Sequence, residues 1–475
     1  MTVADPVART LAAFVAALRP ESIPPEVSLR ARHLMLDAIG CALACRHEPF
    51  ARGTAASIAL LTDDAAGTSG VIGHALKIGL RDAALFNGML MHGLDYDDTH
   101  MAGVIHLTVS VLPTLLSLAA RQATSGAELI TAYVAAVEAG ARIAAAVRGG
   151  LHEQGFHPTG VVGHFAAALA AGRLMRLDAD ALVHAQGIAL STASGSLQFI
   201  EDGAWTKRLH PGWAAQAGLT AAAFAKNGMI APAAPYTGRH GLYRSFLAPN
   251  RAADVEASLA TQGLGDDGSV SRWELMAIAV KPFPMCHFVH AATDAAIALH
   301  RRGVQPDAIA TIAVFVPQAA VALVCEPAER KRRPQNEYDA KFSLNYAVAC
   351  GLINGRLGLA ELKPEAYVDP VAIALMDKVH YQVDPESTFP RHYSGEVRVT
   401  LRDGTVLRHR EAVNRGHAER PVINDEVQAK FMENATLHFP ASQAEAMRDA
   451  VLGLDRTTDV SALEAILCRD PAPDA

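Results

Sequence analysis

The chain has 475 residues, of which 50% are apolar, 6% aromatic and 19% charged, with 49 acidic against 42 basic side chains for a net charge of -7. This is the composition of an ordered globular protein, and the lack of a Lys/Arg stripe with interleaved aromatics argues against a nucleic-acid partner. Single hydrophobic cores stop growing at about 250 to 300 residues, so at least two domains are expected.

The first segment, MTVADPVARTLAAFVAALRP, is amphipathic, but Asp5 and Arg9 interrupt the apolar core that a signal peptide requires. No later stretch reads as an uninterrupted membrane span, because Gly, His or Arg breaks each candidate. The six cysteines contain no C-x-x-C pair and read as small buried hydrophobes in a reducing compartment, so a cytoplasmic location and no membrane partner are expected.

After Pro24-Pro25, the residues Val27, Ala31, Leu34, Ala38, Cys41 and Cys45 form one apolar stripe at helical spacing with a proline start. A second helix opens on the capping box Ser125-Gly-Ala-Glu128 and buries Leu129, Tyr133, Ala136, Gly140, Ile143 and Val147. Ala-rich periodicity continues through 161–174, 181–194 and 211–226, so an all-helical domain is predicted over residues 1–268. Beyond the turn Gly263 to Gly268 the texture changes. Ile312, Val314 and Val316 alternate as in a strand, and Val397 to Leu401 and Thr405 to Arg408 flank an Asp403-Gly404 hairpin turn. A smaller α+β domain over 269–411 fits this part. From about Asn424 the helical pattern returns, which makes the smaller domain an insertion, with residues 412–475 rejoining the first and a Pro/Asp tail expected to fray. The fold class is therefore mainly α.

Chemistry concentrates in His92 to His106, HGLDYDDTHMAGVIH, with three histidines and three aspartates in one Gly-punctuated segment. Three readings stand side by side. The carboxylates cap a helix and pair with nearby basic groups; or His92, Asp95, His100 and His106 ligate a metal, although no H-E-x-x-H or similar spacing is present; or Asp and His act as general acid and base on an organic acid. His157, in Gly155-Phe-His-Pro-Thr-Gly160, precedes an apolar helix whose N-terminus favours an anion. Lys207, Arg208 and His210 stand ahead of another helix, so two such openings could hold two carboxylates, and a basic surface turn would look similar. Lys281 lies in a proline-stiffened segment, KPFPMCHFVH, with His287 and His290 one turn apart. Tyr346 sits at the start of the apolar run 347–353, where it is either packing or a hydrogen-bond donor.

Taken together, Leu36-Asp-Ala-Ile-Gly-Cys-Ala-Leu43, Asn87 to Thr99, His157-Pro-Thr-Gly160 and Lys341-Phe-Ser343, in this order, resemble the MmgE/PrpD family of 2-methylcitrate dehydratases, cis-aconitate decarboxylases and iminodisuccinate epimerases. The resemblance implies a large helical domain, an inserted α+β lid, a homodimer, and catalysis without metal or organic cofactor. It places the catalytic pattern on Asp95, Thr99, His106, His157, Lys207 and Tyr346, and a further lysine on Lys281. The chain departs from the decarboxylase branch at Leu107 and at Cys286, where His287 is adjacent.

On this basis Lys207 and Lys281 bind carboxylates, with His287, Arg208 and His210 beside them. His106 and His157 move protons, Asp95 and Thr99 orient, and Tyr346 donates from the lid. The expected activity is a cofactor-independent lyase on a small di- or tricarboxylic acid, with elimination of water placed first and decarboxylation or epimerisation as alternatives. A metal-dependent hydrolase and a noncatalytic carboxylate-binding protein are the readings from other classes.

Overall fold

The computed structural model describes residues 5–62, 67–253, 255 and 260–472. Two compact units are present, one made of residues 1–278 with 423–475 and the other of residues 279–422.

The first unit is mainly helical, and local sequence explains where its helices begin. Proline occupies the opening turn of Pro6–Ala17, Pro25–Ala44, Pro49–Leu61 and Pro158–Leu174, where a missing N–H costs nothing. Ser125 and Glu128 form the expected reciprocal cap of Gly126–Ala146. That helix is long and apolar enough to cross a membrane, yet neighbouring helices of the unit bury 94% of its most apolar window. It carries Glu138 and Arg142, which meet at 3.3 Å.

Two details differ from the sequence expectation. A short antiparallel hairpin, Ser69–Val71 with His74–Ile78, interrupts the helical run. The helix expected from Pro211 begins at Thr206 and runs to Lys226, with Pro211 inside it. Pro211 lacks the N–H that would bond four residues back, a loss of about 3 kcal/mol in a helix interior that the buried neighbours Gly212, Ala214 and Ala215 help to offset.

The unit boundaries lie some ten residues beyond the composition change. Glu138 accepts the backbone N–H groups of Glu274 at 3.0 Å and Leu275 at 2.7 Å, which ties residues 269–278 to the first unit. Gly268, at φ +85°, lies so close to the backbone of Leu18 that a Cβ would stand 2.8 Å from it. At the other end, Asn414 accepts the N–H of Tyr393 at 3.1 Å, which keeps the chain after the last strand in the second unit. From Asn424 the helices Asn424–Ala435, Ala441–Leu452 and Ser461–Leu467 complete the first unit. The end of the tail expected to fray, 473–475, lies outside the described residues.

The second unit contains a four-stranded sheet in the order Val379–Val383, Ile309–Val316, Gly395–Leu401, Val406–Glu411. The first pair is parallel and the others antiparallel. Ile312, Val314 and Val316 are buried as the alternation predicts, and they share a core with residues such as Leu299 and Val348 of the helices His290–Arg301 and Leu344–Asn354. Gly404, at φ +87°, closes the hairpin, with Thr405 N–H donating to Asp403 Oδ1 at 2.8 Å.

Candidate functional site

The helix Leu80–His92 ends at Gly93, and the chain then turns sharply through Asp95, a non-glycine residue at φ +52°. Aspartate tolerates this left-handed conformation better than most side chains. The turn sets Asp95 Oδ2 2.6 Å from Nζ of Lys207, in the first turn of Thr206–Lys226. Both side chains are nearly buried, at 8% and 11% exposure, so this is an ion pair largely removed from water.

Two residues farther on, Asp97 is fully buried between two imidazoles. Its carboxylate oxygens lie 2.9 and 3.0 Å from Nδ1 of His92, and one of them lies 3.3 Å from Nδ1 of His106. His106 Nδ1 also sits 2.6 Å from the carbonyl oxygen of Asp98 and 3.4 Å from Thr99 Oγ1. A carboxylate and a carbonyl can only accept, so both rings carry their proton on Nδ1 and keep the lone pair on Nε2. Burial opposes the charge on Asp97, but the two imidazoles outweigh it and hold the carboxyl well below the ordinary carboxylate range. His92, pulled down to about 4 by burial against the attraction of Asp97, stays neutral.

The third imidazole comes from a different element. His157 is the N-cap residue of Pro158–Leu174, and its Nδ1 lies 3.0 Å from Nδ1 of His210. Gly160 makes room for the chain that lies against this helix start, since a Cβ there would stand 2.3 Å from the carbonyl of Ser194. Thr159 Oγ1 accepts the backbone N–H of His106 at 3.1 Å and so joins the two motifs. The rings of His92, His106 and His157 have centroids 4.8 to 6.2 Å apart. Burial, then the Lys207 ammonium and the neighbouring imidazoles, push His157 well below its usual range, and burial with His92 and Lys207 brings His210 to about 4.

Asp95, Thr99, His106, His157, Lys207 and His210 therefore belong to one cluster. Arg208 braces the turn after Leu80–His92, with Nε donating to the carbonyl of Gly93 at 2.7 Å and the guanidinium 4.8 Å from the centre of the Phe50 ring. His100 turns away, its Nε2 meeting Glu274 at 3.1 Å while Nδ1 accepts the N–H of Gly103. Among the described residues the metal candidates in this unit are thus His92, His106 and His157, or His92, Asp95, Asp97 and His106, in place of the set containing His100. A cavity of about 850 Å³ lined by Glu128, Arg173, Arg176 and Lys226 lies by the far end of the helix that carries Lys207, about 28 Å along its axis, and has no part in the cluster.

Three named residues lie in the second unit. Lys281 and His287 are buried there, with His287 Nε2 3.3 Å from Asn414 Nδ2 and its ring 4.5 Å from that of His290. Tyr346 is 1% exposed, and its hydroxyl donates to the carbonyl of Glu361. That bond occupies the donor which the sequence assigns to a substrate.

The MmgE/PrpD N-terminal domain model matches residues 9–254, and the MmgE/PrpD C-terminal domain model matches residues 283–456. The chain belongs to the MmgE/PrpD family. Among relatives, the cis-aconitate decarboxylase-like protein oryM of Aspergillus oryzae is 28% identical over 98% of this chain and 99% of its own. Cis-aconitate decarboxylase of Aspergillus terreus is 27% identical over 95% and 93%. The mitochondrial 2-methylcitrate dehydratase of Yarrowia lipolytica is 29% identical over 34% of this chain and 33% of its own.

Within this MmgE/PrpD chain the geometry brings in residues that the motifs do not single out for acid–base work. Asp97 and Thr159 fix His106. His92, noted in the sequence only as a metal candidate, shares Asp97 with it. The signal available was the acceptor-only chemistry of a carboxylate lying between two histidines in the chain.

Proposed function

We propose that this chain is a cofactor-independent lyase acting on a small di- or tricarboxylic acid, with decarboxylation of an unsaturated tricarboxylate of the cis-aconitate type as the first reading. The observation that carries it is the Asp97 carboxylate shared by the Nδ1 atoms of His92 and His106, with the Lys207–Asp95 pair among the same buried groups. Similarity along nearly the whole length to proteins named as decarboxylases supports placing this chemistry ahead of dehydration.

Loss of CO2 from a carboxymethyl group beside a double bond leaves an electron pair that spreads through the allyl system into a second carboxylate. One proton delivered to the far carbon completes the product. The protein has to neutralise the dienolate and supply that proton. Lys207 provides fixed positive charge, and each opposite charge at 4 Å is worth about 4 kcal/mol at an effective dielectric of 20, before desolvation. His106 or His157 carries that proton, and His157, kept neutral at rest by burial, gains it as the polyanion binds, because nearby negative charge favours the imidazolium. Asp97 keeps His106 in the tautomer that exchanges this proton at Nε2. Lys281, His287 and Tyr346 enter the reading through the resemblance alone.

Dehydration is the second reading, favoured by the partial match to a 2-methylcitrate dehydratase. It uses the same groups, with a proton removed beside a carboxylate and hydroxide leaving. Incubation with cis-aconitate, 2-methylcitrate and related acids, followed by NMR of the products and CO2 measurement, separates the two. CO2 with a new terminal alkene is expected. An unsaturated product without CO2 selects dehydration, and no turnover of any acid in the panel removes the lyase reading.

A further inference from the structure

We infer that His92, His106 and His157 form a binding site for a divalent transition-metal ion of the zinc type, which competes with the acid substrate for the same ring nitrogens. Three observations meet here. The histidines offer nitrogen atoms that all lie within 4.8 Å of one another. Nε2 of His92 is buried with no hydrogen-bond partner among the described residues, while Nδ1 of the same ring is held by Asp97. Nδ1 of His106 is held in turn by the carbonyl of Asp98 and by Asp97.

An imidazole whose Nδ1–H is fixed by a carboxylate or carbonyl, with its other nitrogen bare, is the arrangement that orients histidine toward zinc. A buried acceptor left without a partner is destabilising, so an ion that takes this lone pair offsets a standing penalty. Tetrahedral zinc with Zn–N bonds of about 2.0 to 2.1 Å needs nitrogens roughly 3.4 Å apart. Nitrogens already within 4.8 Å of one another reach that spacing by closing at most about 1.4 Å. The Asp97 charge attracts the dication from the outer side. If Asp97 ligated the metal itself, it would give up the bonds that set both tautomers, so it serves as the support. The remaining site is left to water or to a carboxylate.

The other candidate among the described residues, His392, His417 and Glu419 of the second unit, is less well built. His417 Nδ1 already accepts the N–H of Glu419 at 3.1 Å, and the partly exposed Glu419 carboxylate is held by Arg391 at 2.7 Å.

The test is a calorimetric titration of the chelator-stripped full chain with zinc sulfate, paralleled by cobalt(II) absorption. One equivalent per chain is expected, with the strong visible bands of four-coordinate cobalt and no thiolate charge-transfer band. His92→Ala should weaken binding at least about tenfold, and Asp97→Asn about 10- to 100-fold. His417→Ala should leave it unchanged. His157→Gln decides the matter if His92→Ala does not fold. Affinity unaffected by both His92→Ala and His157→Gln, a loss caused by His417→Ala, or no binding at all overturns the proposal. Competition by cis-aconitate rests on the proposed function, whereas the titration without acid does not, so the two readings fail separately.

Discussion

Asp97 and Asp98 are chain neighbours with opposite fates. Asp97 lies against two imidazoles and is kept ionised despite complete burial. Asp98 faces the other way, toward Thr108, which donates to its Oδ2, and Tyr133, whose hydroxyl lies 2.6 Å from Thr108. Burial, reinforced by the charges of Asp97 and Asp37, pushes the Asp98 carboxyl up to about 8, so it is protonated at neutral pH. One turn therefore presents an anion to the histidines and a neutral acid to the core. The contrast comes from partners: donors that gain from the charge surround one carboxylate, and mostly apolar and hydroxyl groups surround the other.

The largest effect should follow from erasing that contrast on the histidine side. Asp97→Asn replaces an acceptor-only group by one that also donates, so the tautomers of His92 and His106 are no longer fixed. Turnover on the acid that the product screen identifies should fall by about 10² to 10⁴, with folding retained by circular dichroism. An unchanged turnover number would show that the shared carboxylate is structural only. Next, Lys207→Gln removes the fixed cation and should lower kcat/KM by about 10² to 10³. If KM alone rises, Lys207 contributes ground-state binding and no selective stabilisation of the dienolate.

Asp98→Asn sharpens the comparison from the other side, through stability. Because the folded carboxyl titrates near 8 and the unfolded one near 3.8, the native state holds the extra proton between those values, and stability falls as pH rises through that window. The slope is about 1.4 kcal/mol per pH unit. His92, His164 and His210, lowered to about 4, act in the opposite sense between pH 4 and 6.5, where stability rises with pH. Glu138, raised to about 7 by burial, adds to the Asp98 trend up to that pH. Denaturant titrations from pH 6.5 to 8 should therefore show the wild type losing stability relative to Asp98→Asn. Parallel profiles would mean that Asp98 is ionised in the folded chain.

Local chemistry made much of this legible in the sequence. The stripe from Val27 to Cys45, the Ser125–Glu128 cap and the Asp403-Gly404 turn are each decided within a few residues, and each forms as read. The motif residues Asp95, His106, His157 and Lys207 do meet in one cluster. What stayed hidden depends on groups distant in sequence. Lys430, from the C-terminal helices, reaches 2.6 Å from Asp37, donates to the carbonyl of Tyr96 at 2.7 Å and lies over the Tyr96 ring at 3.7 Å, pinning the turn from a segment with no motif of its own. The hairpin at Ser69 to Ile78 is too short for alternation to register. Tyr346 carries the same letter whether its hydroxyl meets a ligand or, as here, the carbonyl of Glu361.

The smallest expected effect concerns the neutral side of the turn. Tyr133→Phe removes the hydroxyl that meets Thr108 but leaves Thr108 bonded to Asp98, so the chain of bonds is shortened at its outer end. A neutral buried hydrogen bond contributes about 0.5 to 1.5 kcal/mol, and the loss should show as a lower denaturation midpoint of that size. Turnover should stay within about twofold, because His106 is held by the Asp98 backbone carbonyl and the Asp97 carboxylate, neither of which Tyr133 touches. A large drop in turnover with little change in the midpoint would mean that protonation of Asp98 is communicated to the imidazoles, and that the two faces of the turn work as one acid.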